Sequence, residues 1–343
     1  MTATSESRCH RPPLPDARGP VSQGLTAALR HAAAPAPASA MNPAPDPYGD
    51  DLHLALYVLY ELHYQGFDGV DDDREWDPDL LALRRSLEEH FLTALRADAT
   101  APDSDAESAL DALLIEPAGH DPESVSHHLH RDGRLWQFRE YAALRSLYHL
   151  KEADPHAWVI PRLHGTAKAA MVAVEYDEFG AGRAEDIHAR LFADLMHDLS
   201  LDTTYGSYLD NAPAEALATV NLMSLFGLHR SLRGALVGHF AAVETTSSPG
   251  SRRLAEALRR MKAGPAAQRF YDEHVEADAV HEQVVRREVV GGLLKCEPGL
   301  DADVAFGVRA TGLLEGRLSA TLLSAWRADR SALRCPLPDP AAT

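Results

Sequence analysis

His274, Asp278 and His281 stand four and three residues apart in the stretch FYDEHVEADAVHEQV, residues 270–284. In an α-helix of about 3.6 residues per turn, that spacing puts them within roughly 40° to 60° of one another on one face. Two neutral imidazoles and a carboxylate on a shared face form a ligand set for a transition metal, and this mixture of nitrogen and oxygen donors suits iron(II). A solvated acidic face is the competing reading, because Glu273, Glu276 and Glu282 stand beside the trio. The remainder of the chain has to decide between the two.

A metal held inside a helical bundle collects its ligands from several helices. Further candidates are therefore carboxylates and histidines in otherwise apolar stretches, where an unpaired charge is costly. Glu244 ends the run ALVGHFAAVE, and Glu152 closes a helix whose preceding turns are mostly apolar. Glu178, Glu185 and His188 lie across a glycine interruption at Gly180 and Gly182, with Glu185 and His188 forming an ExxH pair. A carboxylate plus ExxH is the arrangement that carboxylate-bridged bundles use for paired iron or manganese. Singly, each also reads as an ordinary position: Glu152 as a solvated last turn, Glu244 as a polar cap, Glu185 as a first-turn carboxylate favoured by the helix dipole.

These residues need helices to carry them, and the sequence supplies little else. Apolar periodicity predicts a helix from about Tyr48 to Gly66, and a second from Pro78 with Asp77 as its N-cap. After an acidic linker near Pro102 to Asp105, a longer helix covers Trp136 to Glu152 and is stopped by Pro155. The next follows Pro161 and should kink or open at Gly180 and Gly182, each glycine costing about 1 kcal/mol in a helix interior. Two apolar helices follow Pro213, then Arg252 to Met261, Gln268 to Val290, and a last one around Asp303 to Trp326. Strand-like alternation is nearly absent, so the fold class is an all-α bundle.

Residues 1–46, rich in Pro, Ala and Ser, read as a disordered leader, residues 47–330 as a single domain, and residues 331–343 as a C-terminal tail. The 343 residues carry a net charge of -18 with 45% apolar side chains, the balance of an acidic globular protein. That charge argues against nucleic acid and anionic membranes as partners. Three cysteines at 9, 296 and 335 make neither a disulfide framework nor a thiolate metal site, which leaves the cytoplasm as the expected compartment. No GxGxxG fingerprint accompanies the glycine pair, so any redox chemistry in this chain would draw its reducing electrons from the substrate or an external donor.

The order Glu152, Glu178, His188, Glu244 and then HxxxDxxH at His274, Asp278 and His281 resembles the haem-oxygenase-like diiron oxidases, the iron-containing redox enzymes of bacterial genomes. The segment VEYDEFGAGRAEDIHARLFADLM looks especially like its actinobacterial members, and the matched positions span Glu152 to His281. The resemblance implies a haem-oxygenase-like bundle of about seven core helices, here with extra N-terminal ones, holding two iron ions that activate dioxygen. It implies that Glu152, Glu244 and His188 ligate one iron or bridge, while His274, Asp278 and His281 serve mainly the other. Glu178 corresponds to the extra carboxylate that some members place on a helix segment able to unwind, and Glu185 is the alternative ligand of others; Glu178 has the edge. The implied activity is N-oxygenation or oxidative C–C cleavage of a small amine, amino-acid-like or fatty-acid-like metabolite, in natural-product biosynthesis.

Two other classes stay open: a non-oxidative enzyme of the same fold, thiaminase-like or quinone-cofactor-forming, and a non-catalytic iron-binding or scaffold protein. Exposed apolar helix faces would admit a homodimer. His127, His128 and His130 read better as a surface turn than as a metal cluster, since neighbours on a helix point about 100° apart. His149 reads as an amphipathic position ahead of a donor to Glu152. Trp136, Phe138, Tyr141 and Tyr148 read as core packing, and Arg183 and Arg190 as outward ion pairs.

Overall fold

A computed structural model describes residues 11–31, 34, 45–100, 105–115 and 119–337, and no strand occurs among them. The first half of the chain forms α1 (Pro20–Arg30), α2 (Asp50–Glu61), α3 (Pro78–Asp98), α4 (Ala106–Leu113), α5 (Val125–Arg131), α6 (Leu135–His149) and the single turn α7 (Asp154–Ala157). The second half forms α8 (Gly165–Glu178), α9 (His188–Asp198), α10 (Ala214–Leu228), α11 (Arg233–Met261), α12 (Pro265–Val284), α13 (Gly291–Cys296) and α14 (Asp301–Arg327). No helix among the described residues is long and apolar enough to cross a membrane. The free thiols of Cys296 and Cys335 are exposed.

Local chemistry accounts for the main boundaries. The Asp77 carboxylate accepts from the amides of Asp79 and Leu80, and Pro78 occupies the first turn, so α3 starts where the cap signal places it. α10 is apolar on every side and almost wholly buried, the pattern of a central helix. α11 packs along α12 on one flank and α14 on the other. At the α11/α14 crossing, a Cβ on Gly238 would fall 2.0 Å from the Val304 carbonyl oxygen, and one on Gly307 2.0 Å from that of Ala235. The two backbones therefore touch, which only glycine permits.

Several boundaries differ from expectation. α11 runs unbroken through Pro249 as 29 residues, where a separate helix from Arg252 was expected. Proline costs a helix interior about 3 kcal/mol, and packing against both neighbours outweighs it. α6 ends at His149, so Glu152 sits on the following turn, and Pro155 opens α7 instead of stopping α6. Ala153 adopts φ 74 to make that turn. Beneath it, Lys151 Nζ donates to Glu61 Oε2 at 2.8 Å, and the Tyr205 hydroxyl donates to both Glu61 oxygens. The ammonium also lies 4.9 and 4.3 Å from the Tyr57 and Tyr64 ring centroids, so a buried, paired cation anchors the residue next to Glu152.

The disordered-leader reading needs correction where the chain is described. α1 buries Val21, Leu25 and Leu29 in the common core. Its first turn is held by Asp51, which accepts from the amides of Val21 and Ser22 at 2.9 and 2.8 Å and from the Ser22 hydroxyl at 2.6 Å. Arg18 donates to the carbonyls of Leu209 and Ala212. Composition averaged over the whole segment hid an amphipathic helix whose cap comes from α2. The expected tail also packs as far as residue 337: Leu333 is buried, the Ala332 amide reaches Glu140, and Arg334 pairs with Asp50. Residues 1–10, 32–33, 35–44 and 338–343, and residues 101–104 of the acidic linker, lie outside the described residues.

Candidate metal centre

Four elements bring the site together: the turn after α6, the α8–α9 junction, α11 and α12. The glycine interruption is a full break. α8 stops at Glu178, the chain passes through two short 3-10 turns, and α9 begins at His188. Gly180 and Gly182 have φ 74 and 85, and a Cβ on Gly180 would sit 2.6 Å from the Ile187 amide nitrogen. This hairpin turns back sharply enough to put Glu178 and His188 side by side, with His188 Nδ1 2.7 Å from Glu178 Oε2.

Glu152, His188 and His274 each offer a ligand atom within 4.8 Å of the others, and so do Glu178, Asp278 and His281. All six side chains are buried. Glu244 joins the second group, its Oε2 lying 3.4 Å from His281 Nδ1. Adjacency of the two groups shows in His188 of the first and Glu178 of the second, whose Nδ1 and Oε2 are 2.7 Å apart. The grouping differs from the resemblance-based expectation. His274 faces Glu152 and His188 instead of the other two residues of its own motif, and Glu244 faces His281. Helix geometry explains the exchange: His274 and His281 are two turns apart along α12, so each reaches a different end of the site. Glu185, the alternative, is exposed on the second 3-10 turn and belongs to neither group.

Hydrogen bonding orients the two α12 imidazoles. His274 Nδ1 donates to the Phe270 carbonyl at 2.7 Å, which leaves Nε2 directed at the site. His281 Nε2 donates to Asp177 Oδ2 at 3.3 Å, which leaves Nδ1 inward. A histidine whose outer nitrogen is held by a carbonyl or carboxylate is the usual support of a metal-bound imidazole. The inner atoms, His274 Nε2 and His281 Nδ1, make no well-aligned hydrogen bond, and neither do Glu152 Oε2, Glu244 Oε2, Asp278 Oδ2 and, despite its approach to Glu178, His188 Nδ1. Buried polar atoms are nearly always paired, so six orphans converging on one spot fit a cation.

Without that cation the site is crowded with protons. Burial alone would lower the histidines, but Glu152 raises His274 to about 10 and Glu244 raises His281 to about 9. Burial pushes Glu244 up to about 8, with Asp278 and Glu178 adding to the rise. Burial likewise raises Asp278. Glu152 goes the other way: burial opposes its charge, but His149 and His274 hold it ionised.

Of three supporting residues, Glu175 and Asp177 escaped the sequence reading, and His149 was read as an amphipathic position ahead of a donor to Glu152. His149 Nδ1 donates to Glu152 Oε1 at 2.7 Å while its ring packs on Phe192 and Phe270, so the donor role is the one observed. Glu175 is buried with both oxygens unpaired, and burial followed by repulsion from Glu178 and Glu244 raises it to about 9. Its position three before Glu178 was the available signal. Asp177 meets His281 only through the tertiary fold, and no local pattern marks it. The histidine cluster at 127–130 disperses, with His128 next to Gln137 and His130 on Glu256. Arg183 and Arg190 pair with Asp186 and Asp194 as expected.

Behind the site lies a cavity of about 350 Å³ that touches Glu152, Glu178, Glu244, His274 and Asp278. Tyr141, Tyr148, Tyr271 and Thr311 line it, so two of the expected core aromatics face open space, while Phe138 stays in the core. Arg145 and Glu315 form a two-point ion pair on its wall at 2.8 and 2.6 Å. No curated protein matches the chain. A family model described as iron-containing redox enzyme matches residues 139–316, just over half of the chain and every candidate ligand.

Proposed function

The chain belongs to the iron-containing redox enzyme family, and from that premise we propose that it is a non-haem diiron oxidase or oxygenase using dioxygen. The observation that carries the reading is the convergence of six buried, unpartnered ligand atoms from two adjacent groups, with both α12 histidines held in the tautomer a metal requires. Glu152, His188 and His274 would hold one iron, and Glu178, Asp278 and His281 the other, with Glu244 beside the second. Two such ferrous ions supply the two electrons that dioxygen needs to become an oxidant. The protein's own part is to orient these ligands, exclude water and place a substrate against them.

His149 holds Glu152, the Phe270 carbonyl holds His274 and Asp177 holds His281, so none of these three side chains needs to reorient as metal enters. The cavity behind them has the size and polarity for a small metabolite. Its charged Arg145–Glu315 pair and the buried, unpartnered Tyr271 hydroxyl suit an amine or amino-acid-like substrate better than a fatty-acid-like one, whose chain would offer that hydroxyl no partner. N-oxygenation or oxidative C–C cleavage is the reaction class, with electrons beyond those of the substrate drawn from an external donor. We place the enzyme in the cytoplasm, in a biosynthetic role.

Anaerobic loading with ferrous iron, metal analysis and stopped-flow mixing with oxygen test the reading. Two irons per chain and a transient visible absorption are expected. His274→Ala and His281→Ala should each lose that signal while far-UV circular dichroism is unchanged. Iron uptake with no response to oxygen would favour a store or sensor, and no uptake would leave a non-oxidative enzyme or scaffold of the same fold.

A further inference from the structure

A second cavity approaches the same residues from the other side. This cleft of about 440 Å³ shares no lining residue with the inner cavity, and it reaches His188 and His281, the two candidate ligands that the inner cavity does not touch. Both imidazoles are buried, 3% exposed, and the Nδ1 of each makes no well-aligned hydrogen bond, having only carboxylate oxygens beside it.

The charge on the cleft walls is uneven. Asp177, Asp186, Glu273 and Glu276 face Arg183 and Arg269. Both guanidiniums are committed to Asp186, at 2.5 and 2.7 Å, and they tie the 3-10 turns to α12. Glu273 and Glu276 are exposed at the mouth, and neither forms an ion pair among the described residues. Asp177 joins mouth to floor: its side chain is 55% exposed, yet it accepts from His281 Nε2. With four carboxylates against two guanidiniums the cleft has an excess of negative charge, and such an excess concentrates cations and raises their rate of capture. Six water molecules at about 30 Å³ each make a hydrated divalent cation of roughly 180 Å³, which the cleft accommodates.

We propose that this cleft is the loading port for hydrated divalent iron, separate from the cavity that takes the organic substrate. The inference rests on the metal-centre reading above. Glu273 and Glu276 attract the cation, Asp177 carries it inward, and His281 and His188 receive it as water is shed. Iron can then be replenished while substrate fills the inner cavity.

Cobalt(II) serves as the probe, and its uptake by the full-length metal-free protein is followed by visible absorption in a stopped-flow instrument. The double variant E273Q/E276Q removes two exposed charges without touching a ligand. E107Q/E123Q removes two exposed charges elsewhere and controls for net charge. The port predicts uptake about fivefold slower or more in E273Q/E276Q at low ionic strength, a difference that closes in 0.5 M salt. Equilibrium affinity should stay within about twofold, and the control should match wild type. Equal slowing in both double variants, no slowing in either, or a loss of affinity parallel to the rate would overturn the port. Cobalt uptake by wild type with an unchanged rate in E273Q/E276Q sinks the port alone, whereas no uptake by wild type sinks the metal centre with it.

Discussion

Glu175 offers a measurement of how far the metal-free site is strained. Its carboxyl is 2% exposed, neither oxygen is hydrogen-bonded, and its pKa is raised to about 9 from an ordinary 4.5. Between those values the folded protein keeps a proton that the unfolded chain has released, so the folded state binds more protons and stability falls as pH rises. Below pH 4.5 the penalty vanishes, and above about 9 it is complete. Each pH unit within the window is worth about 1.4 kcal/mol, so going from pH 5 to pH 8 should cost the wild type roughly 3–4 kcal/mol at this residue. Glu175→Gln keeps the shape and removes the titration. Urea unfolding of metal-free wild type and variant at pH 5, 6, 7 and 8 gives the difference in stability, in which other titrating groups largely cancel. That difference should grow in favour of the variant by roughly 3–4 kcal/mol across the series. A difference constant to within about 1 kcal/mol would mean that Glu175 is solvated or ionised in the fold, and the reasoning would fail.

Metal binding should release protons, because His274 at about 10, His281 at about 9 and Glu244 at about 8 must give theirs up to become ligands. Between pH 6.5 and 7.5, cobalt(II) affinity should rise at least tenfold, and calorimetry in buffers of different ionisation enthalpy should count two or more protons. Asp51→Ala removes the cap of α1 and should cost about 1–2 kcal/mol in urea unfolding while leaving metal affinity unchanged. Gly238→Ala places a methyl group against the Val304 carbonyl and should cost about 1–3 kcal/mol or more, with altered metal affinity because Glu244 lies on the same helix. Lys151→Met leaves Glu61 buried without its cation and should destabilise by about 3–5 kcal/mol, whereas the double variant K151M/E61L should recover much of that loss.

The helical class and the seven candidate ligands that the fold buries together were legible because a bundle writes both into local periodicity. HxxxDxxH is a helix-face pattern, and the glycine pair announces a break wherever it occurs. What stayed hidden depends on distance in sequence. Glu178 and Glu185 could not be separated by spacing alone, because the tight return at Gly180 and Ile187 decides which of them turns inward. His274 was grouped with its own motif, since sequence shows which residues share a face and not how far along the helix each partner sits. α1 was obscured by the composition around it, and its cap is supplied from α2. The separate helix expected from Arg252 turned out to be the end of α11, because the packing that carries the helix through Pro249 is not written in local sequence.

The backbone contact between α11 and α14 also bears on how such an enzyme could change its diet. Gly307, Thr311, Glu315 and Ser319 follow one another at four-residue steps along α14; the first touches α11, and the other three line the inner cavity. Helices that touch at one point diverge from it, so the crossing acts as a pivot and the space beyond it as the opening of a wedge. Mutation at the pivot threatens the fold, while mutation along the wedge acts chiefly on what fits. A lineage, or an engineer, could therefore reshape this space first at 319, and at 311 and 315 once their partners His239 and Arg145 change with them, leaving the candidate ligands and the helices that aim them in place.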